Sequence, residues 1–416
     1  MTSGVAFAAI NIPFTINLSE NVTVTGTPRI AVDVGGNTRY ATYTSGTGTN
    51  ALTFTLSPTI GDVDLDGVAV SSPIDLNGGT IKDTAGNDAT LTFTPPNTSG
   101  IKINYPSLGM DFTNGTSGRY TLNGNVYNDL SSFLTASGGT FSRNSIATYF
   151  DSTGTLQTAS ANTPRFDYDP VTHIAKGILI EESRRNYTIH SNKISTSTST
   201  GYFYSGDVTE RFVQNAGTAP DGSNTASFAS LNSRFFFESS AAGNGTYSMS
   251  VWLKMASGTG TAILTVKNRG TDDIKSSSSF TVTTNWQRFS LSGITDGSNP
   301  GFRAEVSYPA GMYAWGMQVE QGAFPTSYIP TTGLPATRDA ENFYIPAGSW
   351  TGSSQGTIAS TFDHFGTNTV DGIFALNDGT GNNRADCRAG QQYCFFSASG
   401  VDTPLSPLVS PPQYHQ

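Results

Sequence analysis

One acidic loop in this chain has spacing that could hold a metal ion. Asp62-Val63-Asp64-Leu65-Asp66-Gly67 sets three carboxylates at alternate positions ahead of a glycine. Oxygen ligands so spaced wrap around Ca²⁺. The loop departs from an EF-hand, because Pro73 stands where the bidentate Glu belongs and no flanking helical pattern is present. Asp75, Asp83 and Asp88 would supply a missing ligand if the loops met at one end of a sandwich. The rival reading is a polar hairpin loop closed by Asx turns. Ca²⁺ is the one candidate ion, and the sequence requires no cofactor.

A second chemistry comes from alternation. In Tyr247 to Lys254, reading YSMSVWLK, the residues Tyr247, Met249, Val251 and Leu253 belong inside, so Ser248, Ser250, Trp252 and Lys254 share the other face. A Trp among polar neighbours offers an apolar plate to the C–H face of a pyranose ring. Ser250 and Lys254, with Gln318 and Glu320 of a later strand, would meet the hydroxyl groups. The rival reading covers Trp252 with the preceding segment or with another subunit. In Met312 to Glu320 the same parity puts Tyr313, Trp315, Met317 and Val319 on one face, which makes Trp315 a core residue. Trp286 opens a strand and caps a sandwich edge.

Other chemistry is thinly represented. His173, His190, His364 and His415 follow no ligand spacing, and no nucleophile elbow, phosphate loop or dinucleotide fingerprint sits in a strand-helix context. Glu181-Glu182, Asp167-Asp169 and Glu320 could pair as glycosidase carboxylates, but a chain with 31 acidic residues always offers pairs. The expectation is a protein that is not an enzyme. The formal charge of −9, with no Lys/Arg run, argues against nucleic acid as a partner. No stretch reaches the ~20 apolar residues of a membrane span. The N-terminus has neither a basic region nor a long apolar run, so no secretory signal is expected. Two cysteines, Cys387 and Cys394, do not make a disulfide scaffold.

The elements that must position these groups are β-strands. With 416 residues, 45 Gly, 20 Pro and 13% charged residues, the chain suits several domains, and its short alternating runs between turn residues read as all-β. Residues 1 to about 103 form a first sandwich, with strands at Phe14 to Leu18, Val22 to Val24, Arg29 to Val34, Thr38 to Thr44 and Ala51 to Leu56. Residues 104–190 are a connector with apolar material but no legible shape. Residues 191–338 carry eight more strands, from Thr225 to Phe228 through to Met312 to Glu320. A new register begins at 339, and its alternation decays after Arg384 into an irregular, Pro-rich tail ending at 416.

Several of these strings carry a resemblance. IPFTINLSENVTVTGTPRIAVDVGG and IKDTAGN resemble a bacterial immunoglobulin-like repeat. FSRNSIATYFDSTGTLQTASANTPRFDYDP with GILIEESRRN resembles a segment that precedes a jelly roll in phage structural proteins. YAWGMQVEQGAFPTSYIPT, with YSMSVWLK and Trp286 to Leu291, resembles the closing strands of a carbohydrate-binding-module jelly roll, in the wording found in tail-fibre and minor structural proteins of tailed bacteriophages. GTIASTFDH and DGIFALNDGTGNNR resemble the opening of a concanavalin-like lectin or laminin-G sandwich, cut short or frame-shifted. The resemblance implies tandem sandwiches: immunoglobulin-like, jelly roll, then incomplete lectin-like. It implies a virion protein of the tail or fibre, made in the host cytoplasm, whose partners are other virion proteins, further copies of itself and host-surface polysaccharide. A purely architectural head or tail decoration and a bacterial adhesin are the other readings. A fold alone does not confer an activity, so the site must carry the argument.

Overall fold

The computed structural model describes residues 11–105, 107–194, 202–204, 212–240 and 243–347, and four strand backbones between 372 and 404. Among the described residues the chain is nearly all-β, and it divides into two compact units, residues 1–139 with 345–356 and residues 140–344 with 357–416.

In the first unit the strands are β1 (Ile12–Thr25), β2 (Arg29–Val34), β3 (Asn37–Ser45), β4 (Thr49–Leu56), β5 (Asp62–Asp64), β6 (Ala69–Val70), β7 (Thr80–Asp83) and β8 (Ile103–Tyr105). They order as β6-β2-β3-β4-β1-β7, with β5 and β8 as a separate ladder. The runs read from sequence at Phe14 and Val22 fuse into the single strand β1. Its first half pairs with β4 and its last four residues with β7, across an irregularity between Asn17 and Val22. Alternation is the cause of the core: Ile30, Val32 and Val34 of β2 and Leu52, Phe54 and Leu56 of β4 are all buried in one cluster. Further along come β9 (Leu108–Asp111), β10 (Arg119–Leu122) and β11 (Asn125–Tyr127), then the helix α1 (Leu130–Ser137). Asp129 caps that helix by accepting the Ser132 N–H at 2.8 Å, and Gly138 ends it in the left-handed conformation.

The second unit starts with hairpins: β12 (Thr140–Ser142), β13 (Ala147–Phe150), β14 (Leu156–Ala159), β15 (Phe166–Tyr168), β16 (Ala175–Ile178) and β17 (Arg184–Asn186). A two-sheet sandwich follows, built from β18 (Tyr202–Tyr204), β19 (Phe212–Gly217), β20 (Ala226–Ala229), β21 (Ser233–Ser239), β22 (Gly245–Met255), β23 (Gly260–Asn268), β24 (Ile274–Val282), β25 (Gln287–Thr295), β26 (Phe302–Tyr308) and β27 (Met312–Gln321). One sheet orders β18-β21-β26-β23-β24 and the other β19-β20-β27-β22-β25. Inward residues of both sheets, among them Met249, Val251, Leu264, Val306 and Val319, make one apolar core. The return strands β28 (Ala336–Arg338) and β29 (Asn342–Tyr344) pair with β17 and β12.

The lectin-like opening GTIASTFDH lies outside the described residues. Beyond it, β30 (Gly372–Asn377), β31 (Arg384–Arg388), β32 (Cys394–Ala398) and β33 (Val401–Pro404) form a four-stranded sheet in sequence order. Regular structure therefore runs past Arg384, where the sequence reading ended it. Successive antiparallel backbone ladders make up this sheet, and strict alternation is not needed for such pairing.

Candidate functional site

The outer face of the sheet β19-β20-β27-β22-β25 gathers the residues expected to meet a sugar, but one of them arrives by an unexpected route. Strand β22 keeps its parity, with Ser248, Ser250, Trp252 and Lys254 directed away from the core. Strand β27 does not. Ser250 opposes Gln318 while Trp252 opposes Trp315, so β27 has one residue too many between these pairs. That residue is accommodated as a bulge at Gly316, whose φ is +66°. A Cβ there would lie 2.6 Å from the Trp252 ring, so the position needs glycine on two grounds. The bulge flips the parity: Ala314, Met317 and Val319 enter the core, whereas Trp315, Gln318 and Glu320 join Trp252 on the outer face. The expectation that Trp315 shares a face with Met317 and Val319 is thereby corrected.

This outer face is covered. Trp252 is 3% exposed, and Ser250, Gln318 and Glu320 are fully buried. The expectation of an exposed Trp252 plate is therefore overturned, in favour of cover by the connector. The Trp252 ring meets Trp315 and Tyr328 edge-on, and the Arg288 guanidinium sits 4.5 Å above its centroid. The Gly322-to-Thr331 segment lies over β27 and answers its polar groups. Gln318 accepts the Ile329 N–H at 2.7 Å and donates to the Ser327 carbonyl at 3.1 Å. Glu320 accepts the Thr326 N–H at 2.8 Å and its hydroxyl at 2.5 Å. Arg288 donates to the Ser250 hydroxyl and the Thr326 carbonyl. From the connector, Tyr187 donates its N–H to the Val319 carbonyl, and Thr148 its hydroxyl to Tyr328 O. Lys254 is half-buried, its ammonium 5.0 Å from the Trp286 ring centroid and 5.1 Å from that of Tyr313. Burial holds the Glu320 carboxyl above its usual range, against the pull of its Thr326 and Gln318 hydrogen bonds.

A buried ion cluster ties the connector to the return segment. Glu341 takes Arg143 at 3.0 Å and Arg165 at 2.5 Å, and Glu181 takes Arg165 at 2.9 Å and Arg338 at 3.4 Å. The three arginine side chains and Glu341 are wholly shielded from solvent. For Glu181, burial pushes the carboxyl up, but the Arg338 and Arg165 charges and the Ser327 donors outweigh it and the net direction is down. Sequence reasoning named Glu181 only as one of many acids and passed over the arginines. The available signal was slight: of the three, only Arg165 stands beside apolar or aromatic residues, between Pro164 and Phe166, in a chain with only 22 Lys and Arg.

Between the hairpins and this covered face lies a cavity of about 160 Å³. Five aromatic residues line it: Tyr149, Phe150, Tyr168, Trp252 and Tyr328. Its charged lining is Asp167, Lys176, Glu181 and Arg288. Asp167 Oδ1 accepts the Phe150 N–H at 2.8 Å, and among the described residues no donor reaches its Oδ2. Burial raises the Asp167 carboxyl above its ordinary range, against the Phe150 N–H and the Lys176 and Arg165 charges.

The acidic loop of the first unit is wired differently from a Ca²⁺ site. Asp62, fully buried, accepts the Arg39 guanidinium at 2.7 Å and the Thr59 N–H at 2.8 Å. Asp64 accepts the N–H groups of Gly35 at 2.9 Å and Gly67 at 2.7 Å. Asp66 is exposed. The auxiliary residues are engaged locally: Asp75 with Arg29, Asp83 with Asn87 and Asp88 with Lys82. Among the described residues no three His, Cys, Asp or Glu side chains gather as a metal needs. The geometry corrects the Asp62, Asp64, Asp66 grouping, because protein donors have taken the oxygens that Ca²⁺ would use.

No protein-family model matches the chain, and no curated protein matches it. Similar solved structures include the CBM22-1-GH10 modules of a Clostridium thermocellum xylanase complexed with xylohexaose, at 14% identity over 33% of this chain and 29% of that chain, with a TM-score of 0.25. A CBM22-1 xylan-binding domain from Paenibacillus barcinonensis aligns at 12% identity over 33% of this chain and 94% of its own, with a TM-score of 0.26. A carbohydrate-binding module of Cellvibrio mixtus lichenase 5A, in complex with cellotriose, aligns at 10% identity over 35% and 99%, with a TM-score of 0.22.

Proposed function

We propose that this chain is a non-catalytic virion protein of a phage tail or fibre that attaches to host-surface glycan. The cavity under the connector carries the glycan part of the reading. It combines aromatic walls with a carboxylate that has an unused oxygen, and sugars are recognised by such a pairing of apolar plates and hydrogen-bonding groups. The virion part rests on the resemblance of FSRNSIATYF, GILIEESRRN and the Tyr313–Thr331 string to phage structural proteins.

A second reading is purely architectural, with binding only to other virion proteins. The covering of Trp252, Ser250, Gln318 and Glu320 by the chain's own segments favours it. A glycan array probed with the full chain separates the two: specific retention on host-type glycans supports attachment, and a blank array supports the architectural reading. Antibody labelling of virions in the electron microscope tests the assembly. Labelled tails or fibres are expected, and virions without label would overturn the virion assignment.

A further inference from the structure

Resting on the glycan reading, we propose that the cavity beneath the connector binds a single, neutral, chain-terminal sugar ring, with Asp167 as its hydroxyl acceptor. Size sets the first limit. At about 160 Å³ the space is well below the ~300–1,000 Å³ of sites for larger ligands. One ring fits that space and an oligosaccharide does not, so a polymer must present an end or a one-residue branch.

Charge sets the second limit. Asp167 holds one oxygen fixed on the Phe150 N–H and leaves the other without a donor among the described residues. An acceptor so placed takes O–H groups and repels a uronate carboxylate. Lys176 and Arg288, on the same lining, supply donors to ring and hydroxyl oxygens. Acceptors and donors together with aromatic walls match a ring that has hydroxyl edges and C–H faces.

The site is distinct from the plate expected at Trp252, because Arg288 already occupies the face of that indole. The aromatic surface available to a ring comes instead from Tyr149, Phe150 and Tyr168, on the connector hairpins β13 and β15. The connector is then part of the binding site and more than a spacer.

The test is calorimetric titration of the full chain with methyl glycosides of neutral hexoses and N-acetylhexosamines, and with the sodium salts of the matching uronic acids. Neutral glycosides are expected to bind and uronates to bind at least tenfold more weakly. Asp167→Asn keeps an oxygen for the Phe150 N–H, and should lower affinity for neutral glycosides about tenfold or more while the melting temperature holds. Asp66→Asn, on an exposed loop of the first unit, should leave affinity unchanged. Glycan binding undiminished in Asp167→Asn, or equal binding of uronates, would overturn the cavity assignment and leave the attachment reading standing. If neither these glycosides nor any array glycan binds, both are overturned.

Discussion

The two faces of one sheet, β19-β20-β27-β22-β25, are covered in opposite ways. Its inner face meets the partner sheet through methionine, valine and aromatic side chains with no charge among them. Its outer face meets the chain's own connector and return segment through Trp252, Trp315 and Tyr328 and through satisfied polar groups at Ser250, Gln318 and Glu320. Next to it sit three arginines and Glu341 out of contact with bulk water, with the mostly buried Glu181 bridging two of those arginines. Apolar burial is non-directional and tolerates repacking, whereas hydrogen-bonded and ionic contacts work in one arrangement. The inner face therefore supplies stability, and the outer face fixes where the connector lies. That division can be broken by mutation.

The largest expected effect falls on the outer layer. Glu341→Ala removes the carboxylate shared by Arg143 and Arg165, leaving buried charge uncompensated, and should cost about 3–5 kcal/mol. Trp252→Ala should cost about as much, since the ring is 3% exposed and packed on three sides. Both are read by urea unfolding. A change below about 1 kcal/mol in Trp252→Ala would mean that the plate is open and the connector does not cover it. Next comes the inner face: Met249→Ala should cost about 2–5 kcal/mol, with the connector still protected from protease. Glu341→Ala, by contrast, should release the connector to protease before the sandwich unfolds, which is the sharper form of the comparison.

A smaller effect is set by pH, with two buried carboxyls of opposite sign. Glu181 has a lowered folded pKa, so its contribution is present above the unfolded value and is lost as pH falls through the folded one. Glu320 has a raised pKa, so its contribution is complete below the unfolded value and is lost as pH rises through the folded one. Glu320→Gln should accordingly gain on the wild type as pH rises above about 4.3, the unperturbed Glu value. Unfolding measured in a pH series checks it, and a constant difference between the two proteins would show that Glu320 is not strained by burial.

What was legible in the sequence was local. The strands from Arg29 to Leu56 and from Arg234 to Glu320 follow from alternation between turn residues, and β22 has the inside and outside that parity assigns. What failed was non-local. Counting by twos from Tyr313 cannot detect the bulge at Gly316, because nothing in the strand itself announces an added residue; only the closeness of Trp252 requires it. Trp252 looked exposed because its neighbours on β22 are polar, yet Ser250 is met by Arg288, 38 positions further on, which also donates to the Thr326 carbonyl, and Lys254 lies against the Trp286 and Tyr313 rings. The Arg143–Glu341 pair spans 198 positions, beyond any spacing rule. Asp167, in turn, was one acid among 31 until the hairpin β15-β16 placed it on a cavity.

The smallest effect is expected in the acidic loop of the first unit, and it separates a ligand set from a turn. Asp62 and Asp64 face the protein: one holds Arg39 and Thr59, the other bridges the N–H groups of Gly35 and Gly67. Gly35 itself has no room for a side chain, since a Cβ would lie 2.0 Å from the Val63 carbonyl oxygen. Asp64→Ala strands two N–H groups in this tight corner and should cost about 1–3 kcal/mol. Asp66, on the exposed side of the same loop, has no such duty, and Asp66→Ala should fall within about 0.5 kcal/mol of the wild type. A Ca²⁺ site would behave otherwise. Millimolar Ca²⁺ would raise the melting temperature through mass action on the folded state, and loss of Asp66 would abolish that rise. The expected melting curve is the same in Ca²⁺ and in chelator. A Ca²⁺-dependent rise that vanishes in Asp66→Ala would show that Asp62 and Asp64 can leave their protein partners for the ion.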